Sequence, residues 1–167
     1  MFSYRHAFHA GNHADVLKHM VLVASLKHLT EKDAALTVVD THAGAGLYRL
    51  DGDYANTSAE AADGIFKLLT HANSNPATEL APMLQDYLAL VKSFNSGATT
   101  KVYPGSPFIT QQLLRDHDRL KLFELHPTDA RTLDANIAQL EAGRQVAVLR
   151  EAGFENVKRF LPPPSRR

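Results

Sequence analysis

The 167 residues contain no cysteine. That excludes a disulfide framework and any thiolate zinc site, and it is compatible with a reducing compartment. No run of 18 apolar residues is present to span a bilayer, and the opening MFSYRHAFHAGNH lacks the basic and apolar regions of a secretory signal. The expectation is a cytoplasmic protein with no membrane partner. Charge of one sign is lacking too: 18 Lys and Arg balance 18 Asp and Glu. Any nucleic-acid contact must therefore come from a local patch and not from the field of the whole molecule. With 44% hydrophobic and 22% charged residues, the chain has the size and composition of one ordinary globular domain with a real core. Internal repeats and low-complexity tracts are absent.

What is present is organised around Val38 to Tyr48, VVDTHAGAGLY. Leu36, Val38 and Val39 form a short, β-branched apolar run that reads as a buried strand. It ends on Asp40, at the carboxyl end of a strand, where open α/β sheets bind ligands. Gly44 and Gly46 then let the backbone turn tightly and approach a ligand closely. The spacing matches neither G-x-G-x-x-G nor G-x-x-x-x-G-K-[ST], which disfavours a dinucleotide pyrophosphate or a triphosphate. A cationic, phosphate-free cofactor such as S-adenosylmethionine suits D-x-x-x-G-x-G; a plain strand-turn-helix without ligand is the competing reading. A second apolar run, Leu120 to Phe123, ends on Glu124 in the same design. A carboxylate at that strand tip accepts a pair of ribose hydroxyls, while the plainer alternative is a solvated acid ahead of a helix starting at Pro127. Gln145 to Leu149 reads as a third strand, followed by Glu151, Ala152 and Gly153.

Five of the nine histidines, His6, His9, His13, His19 and His28, fall in the first 28 residues beside Tyr4, Arg5 and Lys18. Asn12 suits a helix N-cap, and Val16, Leu17, Met20, Val21 and Ala24 continue a helical stripe to about Leu29. Three uses of the histidines compete. His9 and His13 have the i, i+4 spacing of zinc ligands, but H-E-x-x-H is absent and no third ligand is evident, so no metal site is expected. Hydrogen-bonded histidines that tie down the arm are the second use. The third is a substrate-facing arm, in which Tyr4, Arg5 and His6 combine stacking, phosphate pairing and hydrogen bonding as unstacked RNA requires.

Between the first two strands, Tyr48 to Asp53 reads as a polar way out. Ala62, Ile65, Phe66 and Leu69 mark one amphipathic helix, and Leu80, Met83, Leu84, Tyr87, Leu88, Val91 and Phe94 a longer one. A direct β-α-β unit reaches its next strand sooner, so 52–98 is read as an inserted helical subdomain between 1–51 and 99–167. Val102 to Pro107 closes it, with Ser106 as N-cap and Pro107 as the first helical residue.

Taken together, SYRHAFHAGNHADVLKH at Ser3 to His19, DTHAGAG at Asp40 to Gly46, YPGSP at Tyr103 to Pro107 and ELHP at Glu124 to Pro127 resemble the RlmJ family of bacterial 23S ribosomal RNA adenine-N6 methyltransferases, over nearly the whole chain. The resemblance implies an α/β, Rossmann-like methyltransferase fold (its N-terminal half) with an inserted helical subdomain, S-adenosylmethionine as donor and an adenine of 23S ribosomal RNA as acceptor. It places Lys18, His19, His42, Ser106 and Glu124 at cofactor-contacting positions, with Asp40, Gly44 and Gly46 in the loop, and Tyr4 and His6 near the substrate entrance. Two departures stand out. Ala152 occupies the place of a family aspartate that holds the cofactor's adenine amine, so that contact is either lost or passed to Glu151 beside Gly153. The Asp-Pro-Pro-Tyr motif whose acceptors grip the target amine is missing from the 167 residues. The expectation is therefore no catalytic residue within this chain, no methyl transfer by it alone, and self-association through an unpaired strand edge. A non-catalytic RNA or cofactor-binding module is the alternative, and a histidine-based metallohydrolase a third.

Overall fold

The computed structural model describes residues 6–51, 59–74, 79–97, 99–140, 142 and 144–162. Three parallel strands, β1 (Thr37–Asp40), β4 (Arg119–Phe123) and β5 (Val146–Leu149), form a sheet in the order β1-β4-β5. Val38 pairs with Leu120, and Leu120 with Val146. These are the three apolar runs of the sequence, each within a residue of its expected bounds. Parallel strands are covered on both faces, and Leu120, Leu122 and Phe123 have no exposure at all. The register brings Asp40 beside Leu122, so the acids at the tips of β1 and β4 leave the sheet on the same side.

The opposite end of the sheet is clamped by Asp118, which is fully buried. Its Oδ1 accepts from Leu36 N at 2.8 Å and from Arg115 at 2.9 Å, and its Oδ2 accepts from the Arg115 backbone and side chain, both at 2.9 Å. Arg115 also donates to the carbonyls of Thr30 and Ala34. One half-buried ion pair thus fastens the end of the first helix to the start of two strands.

A second sheet corrects the sequence reading. Leu47–Arg49 (β2) pairs antiparallel with Val102–Pro104 (β3), with Tyr48 opposite Tyr103. Neither the polar way out at Tyr48 nor the closing segment at Val102 was expected to be a strand. Three residues are too few to display a period of two, and the pairing closes a loop of about fifty residues, which no local pattern reports.

Helix α1 (His13–Thr30) is capped by Asn12, whose side chain accepts from Asp15 N at 2.9 Å. The expected helical pair is present as α2 (Ile65–Ser74) and α3 (Pro82–Ser93). α1 packs against α3 and against α4 (Ser106–Leu113). Val23, Ile65, Tyr87, Val91, Tyr103 and Ile109 consequently share one core, and the parallel sheet forms a second around Leu120, Leu122 and Leu133. Leu133 comes from α5 (Pro127–Ile137); a last short helix, α6 (Gly153–Asn156), follows β5. The N-cap of α4 is Gly105, not Ser106, which begins the helix. The Ser106 hydroxyl donates instead to Asp40 Oδ2 at 2.6 Å, because a carboxylate is the stronger acceptor within reach.

Candidate cofactor site

The loop after β1 is held by its own backbone. Ala43 N donates to Phe123 O at 2.9 Å and His42 N to Asp40 Oδ1 at 3.1 Å. Gly44 N donates to Glu124 Oε2 at 2.8 Å, while Glu124 Oε1 accepts from His126 N at 2.6 Å. Glu124 therefore is not a loose solvated acid: it links the glycine loop to the start of α5 and still has lone pairs to offer. The two glycines of the loop do different work. Gly44, at φ +62°, keeps clear the space next to the Tyr48 hydroxyl, 2.2 Å from where a Cβ would lie. Gly46, at φ +81°, is pressed inward, and a Cβ there would stand 2.8 Å from Phe108 and 2.9 Å from Leu133.

Above this loop opens a cleft of about 370 Å³, within the size of small-ligand sites. Its lining joins His6, Lys18 and His19 from the N-terminal segment to His42, Ala43, Gly44, Tyr48, Gly105, Ser106, Glu124, His126 and Asp129. The N-terminal side is centred on Asp15, which is 1% exposed. Its Oδ2 accepts from Gly11 N at 3.1 Å and lies 2.8 Å from His6 Nε2. The Lys18 ammonium lies 2.9 Å from Oδ1 as an ion pair without hydrogen-bond alignment. Burial by itself raises the Asp15 carboxyl, but the bond and charge of His6, with Lys18, outweigh it and hold the group well below the usual carboxylate range.

His19 is buried at the back of the cleft, with Nδ1 2.9 Å from the Tyr103 hydroxyl, which lies 2.9 Å from that of Tyr87. Burial lowers its pKa to about 4, against the pull of Asp15 and with the help of Lys18, so the ring is neutral at physiological pH. Burial likewise pushes the Tyr48 and Tyr103 hydroxyls above their ordinary values. At the mouth, His6 meets Tyr48 edge-on at 5.2 Å and His42 meets the exposed Phe154 at 4.7 Å.

Seven of the expected site residues thus converge: His6, Lys18, His19, His42, Gly44, Ser106 and Glu124. Asp40 stands behind the lining, committed to His42 N and Ser106, and Gly46 faces the core. Gly153 packs against the Thr41 backbone, and Glu151 pairs with Arg159 at the surface. Tyr4 and Arg5 lie outside the described residues. His9, weighed as a zinc ligand, bonds Glu60 at 3.0 Å, and among the described residues no three His, Asp or Glu side chains gather as a metal site needs. The sequence reading passed over Asp15, Tyr48, Tyr103 and Asp129. Asp15 and Asp129 left a trace there, each as an acid in the first turn of a helix.

Residues 33–167 match the family model described as "Ribosomal RNA large subunit methyltransferase D, RlmJ". The chain belongs to this family. Among RlmJ proteins, ribosomal RNA large subunit methyltransferase J of Escherichia coli (strain K12) is 42% identical over 167 residues, covering 100% of this chain and 56% of the relative. The protein of the same name from Haemophilus influenzae is 40% identical over 168 residues, covering 100% and 57%. The chain thus spans little more than half the length of the curated relatives it matches. A crystal structure of a Legionella pneumophila protein superposes with a TM-score of 0.79 at 36% identity, over 93% of this chain and 54% of that one. The RlmJ resemblance of the four sequence stretches and the mixed α/β methyltransferase fold both hold.

Proposed function

We propose that the cleft binds S-adenosylmethionine and that the chain carries the cofactor half of an RNA adenine-N6 methyltransferase acting on 23S ribosomal RNA. The observation that carries this reading is the meeting of Glu124, tied to Gly44 N at the tips of two parallel strands, with Lys18 and His19 across one cleft. The residues fit the group. Glu124 has lone pairs left for ribose hydroxyls, and the Lys18 ammonium suits the cofactor's carboxylate. Lys18 is accompanied in the lining by Glu124 and Asp129, a charge balance that suits a sulfonium compound and opposes a di- or triphosphate. When bound, S-adenosylmethionine supplies an electrophilic methyl group.

The chain's own residues bind and orient. The adenine amine of RNA is a weak nucleophile, its lone pair delocalised into the ring, so it must be held in line with the methyl group. His6, fixed by Asp15 at the mouth and stacked edge-on to Tyr48, is the described residue placed to meet an unstacked base, with Tyr4 and Arg5 preceding it in sequence. The named function of the E. coli and H. influenzae relatives supports ribosomal RNA as substrate. Calorimetric titration tests the cofactor: binding of S-adenosylmethionine or S-adenosylhomocysteine, with none of NAD or ATP, is expected, and comparable binding of NAD would sink the reading. Transfer of radiolabelled methyl to unmodified 23S RNA by the full-length protein, lost on Tyr4→Ala with cofactor affinity retained, tests the arm.

A further inference from the structure

The three groups Tyr87, Tyr103 and His19 form a buried line of hydrogen bonds whose direction is fixed by counting protons. Tyr87 and Tyr103 have no exposure, and His19 has 6%. Among the described residues, the only partner of the Tyr87 hydroxyl is Tyr103, and the Tyr103 hydroxyl has Tyr87 and His19 Nδ1. A neutral imidazole carries one N–H, on either nitrogen. If it sat on Nδ1, it would donate to Tyr103, Tyr103 would donate to Tyr87, and the Tyr87 hydroxyl proton would be left in the core with no acceptor. In the opposite direction Tyr87 donates to Tyr103, Tyr103 donates to Nδ1, and every buried proton is used. An orphaned buried donor disfavours the first arrangement by about ten- to a hundredfold in population.

We propose that Tyr103, backed by Tyr87, sets the tautomer of His19, so that the ring turns an Nε2–H donor into the cleft and selects an acceptor oxygen on the ligand. Nε2 has no partner among the described residues, and His19 lines the cleft. A third state, the imidazolium, is disfavoured by burial. Tyr103 is therefore a positioning residue that acts through His19, and Tyr87, on a helix of the insertion, supplies the proton that the Tyr103 oxygen accepts. The identity of the acceptor rests on the reading of the cleft as an S-adenosylmethionine site, whose carboxylate and ribose oxygens qualify; the tautomer does not depend on it.

Nitrogen NMR of the ligand-free chain labelled with 15N-histidine tests the tautomer, with His19 assigned by the signals lost in His19→Gln. The expected spectrum has Nδ1 of His19 in the unprotonated range and Nε2 in the protonated range, with its directly bonded proton on Nε2. A proton on Nδ1 overturns the proposal. Tyr103→Phe should move both nitrogens toward averaged positions and weaken S-adenosylmethionine binding by calorimetry about tenfold. Unchanged nitrogen shifts in that variant overturn the role of Tyr103. Tyr87→Phe, which leaves Nδ1 as the sole acceptor for Tyr103, should keep the wild-type tautomer, and a switch to Nδ1–H there would also count against it. The expected tautomer in a chain that binds no S-adenosylmethionine would support the hydrogen-bond assignment and overturn the reading of the cleft.

Discussion

The two ends of the parallel sheet are both built on buried or half-buried acids, and they treat those acids differently. At the start of β1 and β4, the Asp118 carboxylate accepts four hydrogen bonds, all from Arg115 and the Leu36 backbone, and none of its capacity is left over. At the tips of the same strands, Asp40 and Glu124 each accept two bonds, from Ser106 and His42 N and from Gly44 N and His126 N. A carboxylate offers about four lone-pair sites, so each keeps half of its capacity, but only Glu124 lines the cleft, Asp40 standing behind it. An acid saturated by the protein holds structure, and an acid left with spare lone pairs in a cleft is available to a ligand.

Replacing Asp118 tests the lower end most severely. Asp118→Ala leaves the Leu36 and Arg115 backbone N–H groups without their acceptor and is expected to cost about 3 kcal/mol of stability in urea denaturation, without changing the cofactor affinity of the folded protein. A cost below about 1 kcal/mol would erase the contrast between the two ends.

Acid should attack the upper end before the lower. His19 is lowered from 6.5 to about 4 in the folded state, chiefly by burial, so the unfolded chain takes up the proton first. Stability then falls as pH drops from about 6.5 to 4, by about 3 kcal/mol. Asp118 is also lowered, from 3.8 to about 2: burial opposes this, but the bonds from Arg115 and Leu36 N prevail. Its contribution is complete above about pH 4 and is lost only as pH falls through about 2. Urea midpoints measured from pH 7 to 3 should show the first decline in the wild type and a weaker one in His19→Gln.

Smaller effects sharpen the same contrast at the cleft. Glu124→Gln is expected to reduce S-adenosylmethionine affinity about tenfold, roughly 1.4 kcal/mol, with a stability loss near 1 kcal/mol because an amide N–H must then face a backbone donor. The reverse ranking, with stability hit harder than affinity, would make Glu124 another Asp118. Phe154→Ala at the exposed rim should change stability by less than about 0.5 kcal/mol and ligand affinity by no more than two- to threefold, both readable by thermal shift with and without ligand.

Much of the upper end was legible in the sequence, and the reasons are local. Strand β1 and its loop, β4 with Glu124, and β5 each announce themselves as a short apolar run broken by an acid or glycine. Asn12 announces the start of α1 in the same way. What escaped depends on contacts distant along the chain. Tyr48 and Tyr103 pair across the antiparallel β2–β3 ladder, and Asp15 becomes the centre of the N-terminal cluster only because His6, Gly11 and Lys18 fold around it. Ser106 was misassigned because Ser-Pro is a strong helix-start signal, and nothing local reveals that Asp40 competes for its hydroxyl.

The cleft floor is knotted from four directions: Gly105 N to Gly46 O at 2.7 Å, Ser106 to Asp40 at 2.6 Å, Ala43 N to Phe123 O at 2.9 Å and Gly44 N to Glu124 at 2.8 Å. Each bond joins segments from different parts of the chain, and none needs a ligand to form. A floor assembled in advance removes the ordering entropy that a ligand otherwise bears on docking. Association should therefore be a single concentration-dependent step in stopped-flow traces, with no slow, concentration-independent phase from loop closure beneath the ligand.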